Sequence, residues 1–116
     1  LISIGSHVQE IIQTYKPVCM SIESLFMQNN QKTVMKVSET RGVLMYVARS
    51  LGLLIYDFTP LQIKSAVTGS GRSDKTSVQK MVKVQVPEIK NKVKILDDEF
   101  DAIACGLTYF ALEKSL

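Results

Sequence analysis

The stretch "TPLQIKSAVTGSGRSDK", residues 59–75, contains a helix start, a helix end and a second helix start. Pro60 stands at the favoured first position of a helix, and the glycines that follow predict a tight turn. Ser73 or Asp74 then caps the next helix. Because the apolar run at residues 53–58, "LLIYDF", precedes this stretch and is typical of a strand, the pattern predicts strand, helix, turn and helix.

The residues upstream of this segment also alternate between strand and helix patterns. The predicted elements are a strand at residues 1–4, a helix from a Ser6 N-cap to before Pro17, an apolar strand at 18–22 that ends in Glu23, and a helix at 32–50. This alternation predicts an α/β fold with a mixed sheet flanked by helices. Since these strands are few for so many helices, we expect the chain to lack its first strands, with residues 1–4 as a strand of the sheet.

Length and composition are those of one globular domain. The 116 residues are 46% hydrophobic and 22% charged, so we expect one domain over residues 1–116. The net charge of +3 permits a nucleic-acid partner without requiring one. Charge is segregated along the chain, because five lysines between Lys80 and Lys94 are followed by the acidic stretch "DDEFDA", residues 97–102.

The remaining composition favours a cytoplasmic protein. Cys19 and Cys105 lie in apolar runs, where a free thiol behaves as a small hydrophobe. With His7 as the single histidine, a zinc site has little support. No stretch reaches the roughly 20 apolar residues of a membrane span, and the first residues do not resemble a signal peptide.

The acidic stretch at residues 97–102 contains two candidate site residues. Asp98 and Asp101 are three residues apart, so they share one face of the predicted final helix. We expect that face to continue inward through Ala102, Cys105, Tyr109 and Leu112. Since ligands of open α/β sheets bind where strands end, Glu23 is predicted to meet both aspartates.

Three carboxylates that close would repel one another and call for a cation. Their hard oxygen atoms favour Mg²⁺, which supports phosphodiester hydrolysis. Simpler explanations stand beside this one: Asp97 or Asp98 as a helix cap, and Glu23 as a solvated strand end.

Four segments of the chain together resemble one family. They are "SIESLFMQNN", "SETRG", "YDFTPLQIKSAVTGSGRSDKTSVQKMV" and "DDEFDAIA". They closely resemble the RuvC family of Holliday-junction resolvases, over about residues 7–111, and most specifically at 59–75. The resemblance implies a ribonuclease-H-like fold and a crossover junction endodeoxyribonuclease.

The resemblance also implies roles for individual residues. Glu23, Asp98 and Asp101 match the family's catalytic and metal-binding carboxylates, with Mg²⁺ or Mn²⁺ as the cofactor. Lys64 and Lys75 match basic residues that act near the scissile phosphate and contact DNA.

Two further residues are assigned to DNA. Phe26 matches an aromatic residue that stacks on bases at the crossover, and the alternative is a plug of the core. Arg72 in the glycine-rich turn, with nearby backbone N–H groups, is suited to phosphate contacts, and the alternative is a solvated turn residue.

The resemblance has one gap. RuvC proteins begin with a strand ending in Asp-Pro-Gly, which does not occur here, so we expect the natural N-terminus, and an internal loop, to be absent. The leading interpretation is a metal-dependent nuclease that resolves four-way junctions as a homodimer, paired through the apolar surface of helix 32–50, with branch-migration helicases as further partners. The alternative is a non-catalytic junction-binding module.

Overall fold

The computed structural model describes residues 1–24, 31–92 and 94–113. The elements in chain order are helix α1 (Ile2–Tyr15), strand β1 (Cys19–Glu23), helix α2 (Gln31–Ser50), strand β2 (Leu54–Phe58), helix α3 (Pro60–Thr68), helix α4 (Lys75–Gln85), a short 3-10 helix (Pro87–Asn91) and helix α5 (Asp97–Leu112). Within the described residues β1 and β2 form a two-stranded sheet. Because a helical crossover joins them, the two strands are parallel, and the predicted α/β class is confirmed.

The chain divides into two compact units that each include part of the sheet. The first unit comprises Leu1–Met20 and Ser24–Tyr56, and the second comprises Ser21–Glu23 and Asp57–Leu116. A single domain over residues 1–116 stays a prediction. No helix in the part of the chain that the structure describes is long and apolar enough to cross a membrane.

The start of the first unit corrects the predicted strand at residues 1–4, which lies in helix α1 instead. Gly5, Val8 and Ile12 follow one another at helical spacing, and α1 packs against α2. A Cβ atom at Gly5 would lie 3.2 Å from Val43 Cγ1, so the small residue permits this close approach. Ser6 is consequently an interior helical residue, and the N-cap is Leu1.

The end of α1 and the core of the first unit agree with the sequence pattern. Helix α1 ends at Tyr15, and Lys16 adopts a left-handed conformation with φ of 50° before Pro17. The core of the unit comprises Ile12, Ala48 and Leu53, with Val8, Met20, Val47, Leu51 and Ile55 packed around it. Strand β1 ends at Glu23, as predicted.

Three helices of the second unit, α3, α4 and α5, pack on one another. The predicted inward stripe of α5 is correct at Cys105, which is buried, and wrong at Ala102 and Leu112, which are exposed. The buried residues of α5 are Phe100, Ala104, Cys105 and Thr108. This stripe is more apolar at its N-terminal end than the predicted one, because it buries a phenylalanine and leaves Asp98 and Asp101 near the surface.

Helix α3 is held at its start by a reciprocal capping box. Thr59 Oγ1 accepts a hydrogen bond from Gln62 N at 3.1 Å, and Gln62 Oε1 accepts one from Thr59 N at 2.8 Å. Pro60 occupies the first helical position, as predicted. Thr59, Pro60 and Gln62 therefore fix where α3 begins, and with it the position of Lys64.

The turn between α3 and α4 is fixed by glycine and by hydroxyl groups. Gly69 has φ of 86°, which a residue with a side chain rarely adopts. A Cβ atom at Gly71 would lie 2.5 Å from Leu61 Cδ1, so a larger residue there would require the exposed Leu61 side chain to move. Asp74 then caps α4 through a 2.8 Å hydrogen bond from Ser77 N, which places Lys75 at the first position of that helix.

Candidate active site

Four charged side chains predicted from the sequence line one cleft of the second unit. Glu23 comes from the end of β1, Lys64 from α3, Lys75 from α4 and Asp101 from α5. The cleft has a volume of about 260 Å³, and its remaining lining is Pro60, Ile63, Val78, Gln79 and Ala104. We call it the carboxylate cleft. The four charged side chains are exposed, and the other lining residues are mainly apolar.

The two carboxylates of the cleft influence each other. Partial burial raises the pKa of Glu23 above its ordinary value of 4.5, and the negative charge of Asp101 raises it further. Each effect disfavours the ionised form of Glu23. A bound cation would reverse that preference, so the electrostatics of this pair fit a site for a positive charge.

Lys75 lies between the cleft and the start of α5. Its Nζ atom is 3.1 Å from Asp97 Oδ2, and the hydrogen bond and charge of Asp97 raise the pKa of Lys75. The charges of Asp101 and Asp98 raise it further. Lys75 therefore stays protonated and is surrounded by carboxylates from the first two turns of α5.

From the sequence pattern, Asp97 was interpreted only as a candidate helix cap. Besides the ion pair with Lys75, its Oδ1 atom accepts a hydrogen bond from Gln79 Nε2 at 3.1 Å. These two contacts lower the pKa of Asp97, as does the charge of Lys75. Asp97 thus joins α5 to α4 and holds the ammonium group of Lys75 near the cleft.

The third predicted metal ligand, Asp98, is placed differently. It is exposed and lies outside the lining of the carboxylate cleft, although its charge acts on Lys75. Across residues 1–24, 31–92 and 94–113, no three histidine, cysteine, aspartate or glutamate side chains are grouped so that they could hold a metal ion. The structure thus brings together Glu23 and Asp101 of the predicted set.

Cys105 lies one turn beyond Asp101 and is buried. Burial raises the pKa of its thiol to about 11, and the negative charges of Glu23 and Asp57 contribute. Cys105 is therefore a neutral, apolar group near the carboxylates. Both Cys105 and Cys19 are free thiols, as predicted.

Phe26 and Arg72 were predicted to contact DNA without a catalytic role. Phe26 lies outside the described residues. Arg72 is an exposed residue of the turn between α3 and α4. The N–H groups of Ser70 and Arg72 donate hydrogen bonds to Thr68 Oγ1 and Ser70 Oγ at 3.1 and 3.2 Å, so these two backbone donors stabilise the turn.

Comparison with protein families assigns the chain. The model of the family described as crossover junction endodeoxyribonuclease RuvC matches residues 1–109. The chain belongs to the RuvC family. This agrees with the resemblance at residues 59–75, where the structure has the capping box of α3 and the left-handed Gly69.

Two curated relatives and one solved structure extend the comparison. The RuvC protein of Caldanaerobacter subterraneus subsp. tengcongensis is 39% identical over 102 residues, which cover 88% of this chain and 61% of that protein. The RuvC protein of Caldicellulosiruptor saccharolyticus is 37% identical over 118 residues, which cover all of this chain and 69% of that protein. This chain thus spans about three fifths to two thirds of the length of these relatives.

A solved structure of Thermus thermophilus RuvC in complex with a Holliday junction substrate superposes with a TM-score of 0.89 at 24% identity. The match covers 97% of this chain and 67% of that chain. The ribonuclease-H-like fold predicted from the sequence is confirmed.

Proposed function

We propose that this chain forms the nuclease domain of a metal-dependent endonuclease that cleaves four-way DNA junctions. The observation that carries the proposal is the convergence of Glu23, Asp101, Lys64 and Lys75 on one cleft from four separate elements. The curated relatives are named crossover junction endodeoxyribonucleases, and the name matches the chemistry of this cleft. A cleft with two carboxylates and two ammonium groups suits a phosphodiester, whose charge the lysines offset.

The carboxylates are the residues that would hold a metal ion. Glu23 and Asp101 supply hard oxygen atoms. Partial burial, and then the charge of Asp101, raise the pKa of Glu23, and a bound cation would offset both effects. Asp98 is the proposed third ligand, and the support for it is its match to a metal-binding position of the family pattern. Mg²⁺ is the proposed ion, with Mn²⁺ as a substitute, and such an ion, when bound, stabilises negative charge on phosphate oxygens.

The remaining side chains position the substrate. Lys64 and Lys75 bind the non-bridging oxygens of the attacked phosphate, and Asp97 orients Lys75 from outside the cleft. Phe26 is proposed to stack on an unpaired base at the branch point, which is worth about 1–3 kcal/mol per base. Arg72 is proposed to contact the phosphate backbone through its side chain.

We propose a homodimer that pairs through α2. This helix exposes Met35 by 64% and Tyr46 by 74%, and Gly42, Met45 and Arg49 line an apolar depression beside Tyr46. A four-way junction presents two equivalent strands, so a twofold dimer gives each strand one active site. A cytoplasmic location and contact with branch-migration helicases remain part of the proposal. The free thiols of Cys19 and Cys105 are consistent with a reducing compartment.

The non-catalytic alternative is not favoured. A junction-binding module needs the lysines but has no use for Glu23 and Asp101, whose negative charges oppose phosphate binding. Their placement in the same cleft as the two lysines therefore supports hydrolysis over binding alone.

The test is metal-dependent cleavage by the natural full-length protein. A labelled four-way junction and a linear duplex of the same arm sequence are incubated with protein in Mg²⁺, in Mn²⁺ and in EDTA. We expect paired cuts in the junction with either metal, none in EDTA and little cutting of the duplex. Junction binding without cleavage in both metals would overturn the proposed nuclease and support the binding module.

A further inference from the structure

A second cleft of the second unit is lined by three lysines. Lys83 of α4, Lys90 of the 3-10 helix and Lys92 border a depression of about 380 Å³, which we call the lysine cleft. All three side chains are exposed. The cleft coincides with the basic half of the charge segregation seen in the sequence, where residues 80–94 contain five lysines and Glu88 as the single acid. The fold therefore gathers part of that charge around one concave surface.

Two of these lysines make local contacts that do not cancel their charge. The Nζ atom of Lys83 lies 5.7 Å from the centre of the Phe100 ring, a cation–π contact that leaves the charge intact. Lys92 Nζ is 3.9 Å from Glu99 Oε2, a separation at which an exposed ion pair is weak. Glu99 is also engaged as an acceptor for Leu96 N at 3.1 Å. The cleft consequently keeps a net positive potential.

The apolar part of the cleft indicates what it can bind. Phe100 is only 5% exposed and Ile89 only 8%, so neither offers a face on which a base could stack. Lysine ammonium groups act as point charges, which suit phosphate oxygens without reading base edges. The occupant that fits is a DNA phosphate backbone.

The position of the lysine cleft connects it to the candidate active site. Gln79 of α4 lines the lysine cleft and also lines the carboxylate cleft. A strand whose scissile phosphate lies near Lys64 and Lys75 can therefore continue across Gln79 toward Lys83. The two clefts are therefore neighbours along helix α4.

We propose that the lysine cleft binds the phosphate backbone of a duplex arm of the junction next to the scissile phosphate. This proposal rests on the proposed nuclease function. The lysine cleft contributes to junction affinity and takes no part in the hydrolysis step. Contacts of this kind release counterions, so each one adds to the salt dependence of binding.

The test compares binding and cleavage in variants of the natural full-length protein. The triple change Lys83→Gln, Lys90→Gln and Lys92→Gln removes the cleft's charge, and Lys80→Gln is the matched control. Lys80 lies on the same helix, but it does not line the lysine cleft. Fluorescence anisotropy in EDTA over a range of KCl gives the Kd of a labelled four-way junction and its salt slope. Single-turnover cleavage in Mg²⁺ at saturating protein gives the rate of the chemical step.

We expect the triple variant to bind the junction at least about tenfold more weakly and to lower the salt slope by about 2 to 3, since each lost phosphate contact removes about 0.9. The saturating cleavage rate should stay within about twofold of wild type, because binding is then no longer limiting. Triple replacement by arginine keeps the charge and should keep the slope, which separates lost charge from lost folding. Lys80→Gln should have little effect.

Two results would overturn the inference. One is an unchanged salt slope in the triple variant, and the other is a large fall in the saturating rate with unchanged affinity. Failure of the wild-type protein to cleave the junction in either metal is a different result, which refutes the proposed nuclease function itself.

Discussion

The carboxylate cleft and the lysine cleft share Gln79 but differ in charge. The carboxylate cleft sets Glu23 and Asp101 against Lys64 and Lys75, whereas the lysine cleft presents Lys83, Lys90 and Lys92. Carboxylates repel a phosphate unless a cation lies between them. A surface built only to bind DNA would therefore resemble the lysine cleft. The mixed charge of the carboxylate cleft supports the proposed reaction with phosphate, and the comparison predicts that chemistry and affinity can be changed separately.

The largest expected effect is at Asp101. Asp101→Asn should lower the single-turnover cleavage rate by at least about 100- to 1,000-fold, since it replaces a charged carboxylate ligand of the proposed metal ion with a neutral amide. Junction affinity in EDTA should stay equal or rise slightly, because a negative charge near phosphate is lost. Glu10→Gln on α1, an exposed carboxylate of the first unit, is the control and should cleave normally. Equal losses of affinity and rate in Asp101→Asn would remove the distinction between the two clefts.

Substitution of the lysines of the carboxylate cleft should slow cleavage itself, whereas substitution of those of the lysine cleft should weaken binding. Lys75→Gln and Lys64→Gln are each expected to slow cleavage by about 10- to 100-fold at saturating protein, because they remove charge from the attacked phosphate. Single-turnover rates measured over a range of protein concentrations separate rate from affinity. Recovery of the wild-type rate at high protein concentration would show that these lysines only bind DNA.

A smaller effect is expected at Asp97, which holds Lys75 through a 3.1 Å ion pair. Since both side chains are more than half exposed, the pair is weak, and Asp97→Asn should slow cleavage by only about two- to fivefold. Glu88→Gln is the control, because Glu88 is exposed and lines neither cleft. In a Lys75→Gln background the change at Asp97 should have no further effect. A full additional loss there would show that Asp97 acts independently of Lys75.

The smallest expected effect is on the alkylation rate of Cys105, whose thiol responds to the negative charge in the carboxylate cleft. With its pKa raised to about 11 by burial and by the charges of Glu23 and Asp57, Cys105 should resist iodoacetamide at pH 8 and react faster as the pH rises. Glu23→Gln removes one of these charges, so it should lower the pKa of Cys105 and speed its alkylation at pH 9. Mass spectrometry follows Cys105, with Cys19 as the internal reference. An unchanged rate at Cys105 would indicate that Glu23 does not affect this thiol.

Sequence patterns predicted the elements of the second unit well because their signals are local. Pro60, the Thr59 and Gln62 capping pair, and Asp74 each act within three residues of their own position. Residues 1–4 were mispredicted as a strand because "LISI" is compatible with either period, and the packing of Gly5 close to Val43 on α2 accompanies its helical form. Such a contact between distant segments leaves no mark in a short window of sequence.

The candidate site could be predicted from the sequence only in part. The rule that ligands bind where strands end correctly placed Glu23 near Asp101. The rotation of α5 about its axis depends on which side chains pack inward, so the separate position of Asp98 could not be predicted from a spacing of three. The Asp97 contacts with Lys75 and Gln79 were equally hidden, since an aspartate at a helix start is also typical of a cap.

The most direct test of the central claim, that the carboxylate cleft carries out the chemistry, is Glu23→Gln in the natural full-length protein. Binding of one four-way junction is measured in EDTA, and its cleavage is measured in Mg²⁺, with circular dichroism to establish folding. We predict a fall in cleavage of at least about 100-fold with junction affinity equal to or slightly above that of wild type. Near-normal cleavage by the folded variant would contradict the assignment of Glu23 and of the cleft that it lines.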